Sequence, residues 1–320
     1  DHRDLHSFPT RRSSDLAAKS GQIHITNIPP VLGKQIVSGM KLISVESVDN
    51  RGIMFTMVNS GSQTADGKPV GNDVTADIAI RKAINVAVDR KALVDGILEG
   101  FGTPAYTVCD GLPWWNPDTV IKDKDMEEAR RILAEGGWTD NNGILEKDGL
   151  KAEFNLLYPS TDQTRQSLAI AVADMVKPLG IKINPEGKSW DEIRKVCHAN
   201  AVLYGWGSHT ALEMYNLYST TTRGIQSLNA GFYSNPTVDE YMETAQRSLT
   251  EEESLVYWKK AQWDGSTGLS YEGDAAWAWL VNLNHLYLVD ENLDIGTPKI
   301  EPHGHGWPIT DNIAEWRWYE

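Results

Sequence analysis

The chain has 320 residues, 41% hydrophobic and 23% charged, an ordinary globular composition long enough for two domains of about 150 residues each. Thirty Lys and Arg against 44 Asp and Glu leave a net charge of −14, which opposes phosphate backbones and anionic lipid and argues against nucleic acid as a partner. Two cysteines, Cys109 and Cys197, cannot build a disulfide scaffold or a zinc ribbon, and no apolar run approaches the ~20 residues of a membrane helix, whereas 12 Trp against 5 Phe point to ligand recognition.

Residues 1–16, DHRDLHSFPTRRSSDL, carry neither helical nor strand periodicity. The stretch resembles translated sequencing-adaptor read-through and is set aside as an artefactual or disordered tail, expected to pack against nothing even at Leu5, Phe8 and Leu16; a natural flexible terminus is the alternative. On the adaptor reading the natural N-terminus, with any secretion signal, lies outside the chain.

Residues 21–28 alternate and end at Pro29-Pro30, as a strand leaving a sheet does. Residues 41–48 and 52–58 are β-branched runs joined by the turn signal Asp49-Asn50-Arg51-Gly52. The Gly-, Ser- and Asp-rich stretch 60–72 reads as a loop. Ile80, Ala83, Ile84, Ala87 and Val88 share a helical face, and Asp89 caps a second helix through Ile97. Asp125 and Glu128 open a helix stopped by Gly136-Gly137. A strand over 152–157, a helix with the stripe Leu168, Ala171, Val172, Met175 and Leu179, and a strand over 181–183 make a βαβ unit. Ser189 and Glu192 form a capping box for a helix turning Trp190, Ile193 and Cys197 inward, and a strand over 201–206 completes a second unit. Asn235-Pro236 starts a helix bearing Val238, Tyr241, Met242, Ala245 and Leu249, and Thr250 with Glu253 starts another, to about Trp263. Residues 276–289 read as one strand with Trp277, Trp279, Val281 and Leu283 on one face, before a Gly/Pro/Trp-rich tail.

Several chemical motifs fail. Gly187-Lys188-Ser189 lacks the upstream glycine of a phosphate loop, since position 182 is Lys182. Gly205-Trp206-Gly207 lacks the third glycine of a dinucleotide fingerprint. Asp239, Glu240 and Glu243 read as a solvated helix face rather than a glycosidase pair. Cys197, on an apolar stripe, reads as a buried inert thiol. His303-Gly304-His305 reads as loop histidines ahead of a metal site. No nucleophile with its base, and so no enzyme and no cofactor, is indicated.

The segments VESVDNRGIMF, NDVTADIAIRKAINVAVDRKALVDGILEGFGTPA, PWWNPD, EEARRILAEGGW and YGWGSHTALEMYNLY together resemble the dipeptide-, oligopeptide- and nickel-binding extracellular solute receptors, family 5, of ABC importers. The block from Asp77 to Arg90 is the most specific, and the resemblance covers residues 17–320. It implies an α/β, type II periplasmic-binding-protein-like bilobal fold, N-terminally truncated: a remnant of lobe I over 17–58, lobe II over 59–275, and a return to lobe I over 276–320. Lobe-I strands would then lack neighbours, leaving unpaired edges and taking part of the cover from Trp277 and Trp279. The resemblance also implies a periplasmic or outer-membrane-face location, a permease partner, and membrane association only through that permease or a lipid anchor outside the chain.

A receptor of this kind must desolvate its ligand between lobes and satisfy its polar groups. The loop after the strand ending at Trp206 supplies the candidates: Trp206 as a stacking face, Gly207 for close backbone approach, Ser208 and His209 as orientable polar atoms, and Glu213 beyond. Trp114 and Trp115 read equally as lid residues or lobe packing. Dipeptide-binding members of the family usually carry an aspartate in this loop for the ligand ammonium, and this sequence has Ser208-His209-Thr210-Ala211 instead. The expected ligand is therefore a longer peptide, with a nickel or other metal chelate at His209 as the alternative. His209 is the only candidate metal contact, and one imidazole is a poor cage. A sensor or enzyme on the same fold is the remaining reading.

Overall fold

The computed structural model describes residues 17–18, 20–299 and 308–319. The expectations for residues 1–16 and for His303, Gly304 and His305 lie outside the described residues.

In chain order, the elements that matter begin with β1 (Ile25–Ile28), β2 (Met40–Val45) and β3 (Asn50–Met54). Then come α1 (Ile78–Ala87), α2 (Arg90–Ile97), β4 (Gly102–Pro104), α3 (Met126–Glu135), β5 (Glu153–Pro159), α4 (Gln163–Val176) and β6 (Lys182–Lys188). The chain continues through α5 (Trp190–Val196), β7 (Ala201–Trp206), α6 (Leu212–Tyr218), α7 (Pro236–Arg247), α8 (Glu251–Gln262), β8 (Trp277–Leu283) and β9 (His285–Asp290). Six strands form one mixed sheet in the order β6-β5-β7-β3-β8-β4, and β1-β9-β2 form a second, antiparallel sheet.

The expected α/β class holds, and the helices start where side chains can cap them. Asp77, Asp89 and Asp125 each accept a hydrogen bond from a backbone N–H of the first turn they precede, and Ser189 and Glu192 close a reciprocal capping box. The six-stranded sheet is apolar on both faces, because neighbours along each strand point opposite ways. Ile53, Leu156, Leu203 and Leu280 pack against Ile80, Ile84, Leu168 and Val172 on one face. Met54, Leu157, Val202, Tyr204, Trp277 and Trp279 pack against Met214, Leu217, Met242 and Trp258 on the other. Each such side chain contributes about 1.5–3 kcal/mol of burial.

The Asp77–Arg90 block is architectural. Arg81 donates to the carbonyls of Thr75 (2.8 Å), Ala76 (2.7 Å) and Asp274 (3.0 Å). Asn85 reaches Trp277 O at 3.2 Å, and buried Arg90 reaches Ala105 O at 2.9 Å and Trp279 O at 2.8 Å while pairing with Asp123. Three side chains of one helical stretch thus satisfy carbonyls at and beside β8, which a central strand flanked by loops would otherwise bury unpaired.

Long-range pairing overturns several local expectations. Asn50-Arg51-Gly52 is not a turn but the start of β3, and β2 and β3 lie in different sheets. The stretch 276–289 is two strands, with the chain passing between sheets at Asn284. A bulge between Trp279 and Val281 reverses the alternation, so Val281 joins the opposite face from the stacked pair Trp277 and Trp279. Both tryptophans keep their cover, at 8% and 2% exposure, because β8 lies inside the six-stranded sheet. Leu249, assigned to a buried stripe, is 96% exposed, since α7 ends at Arg247. The sheets also divide the chain elsewhere than at residues 58 and 276: β3 and β8 sit between β7 and β4, and the passages between sheets run through residues 46–49 and Asn284.

Candidate functional site

Strands β5, β6 and β7 run parallel and end at one edge of the sheet; antiparallel β3 begins there and β8 ends there. The carboxyl edge of parallel strands is where open α/β sheets receive ligands, and here it is also where the chain crosses to the second sheet. Ser47 Oγ donates to Leu283 O, and Leu283 N donates to Asp49 O at 2.9 Å, so the two crossings are laced together.

The loop leaving β7 is held from both sides. Trp206 N donates to Asn50 Oδ1 at 3.1 Å, and the amide of fully buried Asn50 donates to Val108 O at 3.0 Å. The Trp206 indole N–H donates to Glu213 Oε2 at 2.8 Å, and Asn216 donates to the same oxygen at 3.3 Å. Glu213 therefore orients Trp206, whose N–H is occupied and whose side chain is half-buried against the aromatic cluster. Gly207 is buried. Ser208 is 2% exposed and its hydroxyl donates to Thr210 O at 3.4 Å, serving the loop's own turn. His209 is exposed at the loop tip. Among the described residues no group of three His, Cys, Asp or Glu side chains is placed to hold a metal ion.

Trp114 and Trp115 are half-buried against the same aromatic cluster as Trp206. Gln262 fixes their backbone, donating to Trp114 O at 2.7 Å and accepting from Asn116 N at 3.1 Å. Their indole N–H groups are buried without a partner among the described residues. Two surface grooves, of about 490 and 350 Å³, lie at the far, amino edge of the strands, along the second half of α4 and the segment Lys177 to Gly180, remote from Trp206.

A cluster of charged side chains at this carboxyl edge was not legible in the local sequence. Asp49, 5% exposed, accepts from Arg51 Nη1 at 2.7 Å and lies 3.1 Å from His285 Nε2. Burial alone would raise its pKa, but the Arg51 charge and the His285 and Arg51 hydrogen bonds outweigh that and hold it well below the carboxylate range. Across the strand, Asp162 caps α4, accepting from Arg165 N at 3.0 Å and pairing with the Arg165 guanidinium. Burial, then the charge of Arg51, lower the Arg165 pKa to about 10. Its guanidinium carbon lies 5.8 Å from the Trp190 ring centroid. Gly205 is glycine for a steric reason: a Cβ there would lie 2.5 Å from both Arg165 Nη2 and Arg51 Nη1. Arg51 was hidden in an apparent turn and Arg165 in the first turn of a helix, where local patterning carries no hint of a meeting.

The family model for the middle part of bacterial extracellular solute-binding proteins, family 5, matches residues 1–227. Protein XP55 of Streptomyces lividans is 34% identical over 236 residues, 73% of this chain and 42% of that protein. The oligopeptide-binding protein AppA of Bacillus subtilis is 28% identical over 279 residues, 82% of this chain and 49% of its own length. The chain thus spans about half the length of these curated relatives. Among solved structures, NikZ of Campylobacter jejuni in complex with Ni(L-His) superposes with a TM-score of 0.78 at 23% identity, covering 96% of this chain and 59% of that one. AppA of Bacillus subtilis in complex with a nonapeptide gives 0.74 at 21% identity, covering 98% and 59%.

Proposed function

Because this chain belongs to family 5 of the bacterial extracellular solute-binding proteins and has their type II periplasmic-binding-protein-like α/β fold, we propose that it captures peptides for an ABC importer, oligopeptides rather than dipeptides. The observation that carries this reading is the loop Trp206–His209 at the carboxyl edge of three parallel strands, with Trp206 fixed by Asn50 and Glu213 beside the crossing between sheets. A fixed aromatic face next to a crossing is what a receptor that closes over its ligand requires. The loop carries no aspartate from 207 to 211, and an ammonium buried without a carboxylate costs several kcal/mol, which favours a longer peptide over one gripped by its N-terminus.

Binding without catalysis is supported by the state of the thiols. Cys197 Sγ lies 3.7 Å from His198 Nδ1, yet burial pushes that thiol up rather than activating it. Cys109 is buried and shifted the same way. The partners on this reading are a peptide and the permease subunits, in the periplasm or at the outer face of the cell membrane. No helix among the described residues is long and apolar enough to cross a membrane.

A metal chelate is the second reading, favoured by the likeness to NikZ and by His209 at the exposed loop tip. Native mass spectrometry of the full-length protein purified without refolding separates the two: a ladder of peptide masses supports the first, a nickel- or iron-containing adduct the second.

A further inference from the structure

Asp110 closes the turn that follows β4. Its carboxylate accepts from Tyr106 N at 2.8 Å, Thr107 N at 3.0 Å and Thr107 Oγ1 at 2.8 Å, and the Asn282 amide hydrogen-bonds it from β8. Val108, buried in the middle of the turn, gives its carbonyl to Asn50 Nδ2 at 3.0 Å, and Asn50 Oδ1 takes Trp206 N at 3.1 Å. Asn50 is fully buried and both ends of its amide are in use, so a single side chain spaces the turn from the loop leaving β7. Asn282 faces Asn50 in the register of β3 with β8, and its Oδ1 is buried without a partner among the described residues. One chain of hydrogen bonds therefore runs from Asp110 to Trp206 through the apolar layer, where such networks are stronger than in water.

A neutral carboxyl does not fit this place. Taking a proton from solvent turns one Asp110 oxygen from an acceptor into a donor, yet the groups around it are already N–H and O–H donors. The new O–H must displace one of them, and the acceptor at hand is the orphaned Oδ1 of Asn282, presented by a half-turn of its amide. Burial puts this change at about pH 6. The titratable groups around Asp110 are the Cys109 thiol and the Tyr106 and Tyr218 phenols, each pushed up by burial and so neutral in that range. The Arg90–Asp123 pair meets Tyr106, with Arg90 over the ring at 4.9 Å and Asp123 accepting from the hydroxyl at 3.3 Å.

We infer that Asp110 is a positioning residue for the Trp206 loop: its ionised carboxylate braces the 106–110 turn and, through Val108 O and Asn50, sets where the loop stands. For a solute receptor that holds its ligand with this loop, the reading on which the consequence rests, acid weakens capture while it stabilises the fold, because the neutral carboxyl is the less costly one to bury. A side chain with a structural role alone would move affinity and stability the same way.

The test is the Trp206 backbone amide in NMR spectra of the full-length protein carrying isotope-labelled tryptophan, assigned with Trp206→Phe. Its signal should move as pH falls from about 8 to about 5, with a midpoint near 6. Asp110→Asn copies the neutral carboxyl and should hold the signal at its acid position throughout. Asn50→Leu keeps the bulk but severs the chain, so the signal should stay still while the Asp110 carboxyl titrates; cooperative melts confirm that each variant folds. Over the same range, affinity for a defined set of tetra- to hexapeptides should fall about fivefold in the parent and stay at the low value in Asp110→Asn, whereas the parent's stability relative to that variant rises. His209 and His285 are present in every variant. A signal that titrates in Asp110→Asn as in the parent, or that does not move in the parent, therefore overturns the role of Asp110 and leaves the peptide reading standing. If the signal follows Asp110 and no peptide binds at any pH, the role stands and the peptide reading falls.

Discussion

Asp49 and His285 meet across the two chain crossings, His285 Nε2 lying 3.1 Å from Asp49 Oδ2, and this contact joins the segment that enters the six-stranded sheet to the one that leaves it. Asp49 also holds Arg51, so one buried carboxylate ties the crossing between sheets to the start of β3.

Asp49→Asn should therefore be costly. It leaves the Arg51 guanidinium, 12% exposed, without its charge partner, and breaking a buried pair by removing one member costs about 3–5 kcal/mol. Urea unfolding at pH 7 should show that loss. Because the folded pKa of Asp49 is depressed, its stabilisation is present above the unfolded value of about 3.9 and disappears only as pH falls below that. The gap between variant and parent should begin to narrow below about pH 4 and close only as pH falls through the much lower folded value.

Asp110 should act with the opposite sign. Burial raises its pKa to about 6, although Thr107 and the Tyr106 and Thr107 backbone N–H groups hydrogen-bond its carboxylate. The folded form holds its proton more tightly than the unfolded chain, so this group's contribution is fully present below about pH 4 and is lost as pH rises through about 6. Carboxyl NMR should place its midpoint near 6, and Asp110→Asn should remove that part of the pH slope of unfolding. A midpoint near 4 would contradict the assignment.

Gly52→Ala tests the aromatic stack. A Cβ at Gly52 would lie 2.5 Å from Trp279 Cε3, and Trp279 stacks on Trp277 with ring centroids 4.4 Å apart. The added methyl must move the indole, and overpacking of this kind costs about 1–3 kcal/mol. Near-ultraviolet circular dichroism should lose part of its tryptophan signal while the far-ultraviolet spectrum is retained.

Arg90→Met separates architecture from ligand contact in the Asp77–Arg90 block. Arg90 holds the carbonyls of Ala105 and Trp279 and the side chain of Asp123, so its loss strands buried acceptors. Unfolding free energy should drop by about 3 kcal/mol or more, and protein that remains folded should bind its ligand with unchanged affinity. Weakened affinity in a fully folded variant would place Arg90 at the site instead.

What could be read from the sequence is what local chemistry decides. The helices beginning after Asp89, Asp125, Ser189, Asn235 and Thr250 were legible from a cap and a 3.6-residue stripe, which act within a few residues, and the helix after Asp77 from its stripe alone. The split of residues 276–289 between two sheets was not, because β8 and β9 have the same extended pattern and only their distant partners, β3 and β2, tell them apart. The same holds at the carboxyl edge of the parallel strands. Trp206 could be singled out from its place at the end of a strand, whereas the meeting of Arg51 with Arg165 depends on β3 lying next to β7. That Glu213 accepts from the Trp206 indole was not legible in the sequence.

The most direct test of the central claim is titration calorimetry of the full-length protein with free-acid oligopeptides, in the parent, Trp206→Ala and His209→Ala. Saturable binding is expected, weakened about tenfold by loss of the Trp206 face and by about 1–2 kcal/mol by loss of the His209 imidazole. No heat with any peptide, together with nickel-chelate binding that His209→Ala abolishes, would contradict the account.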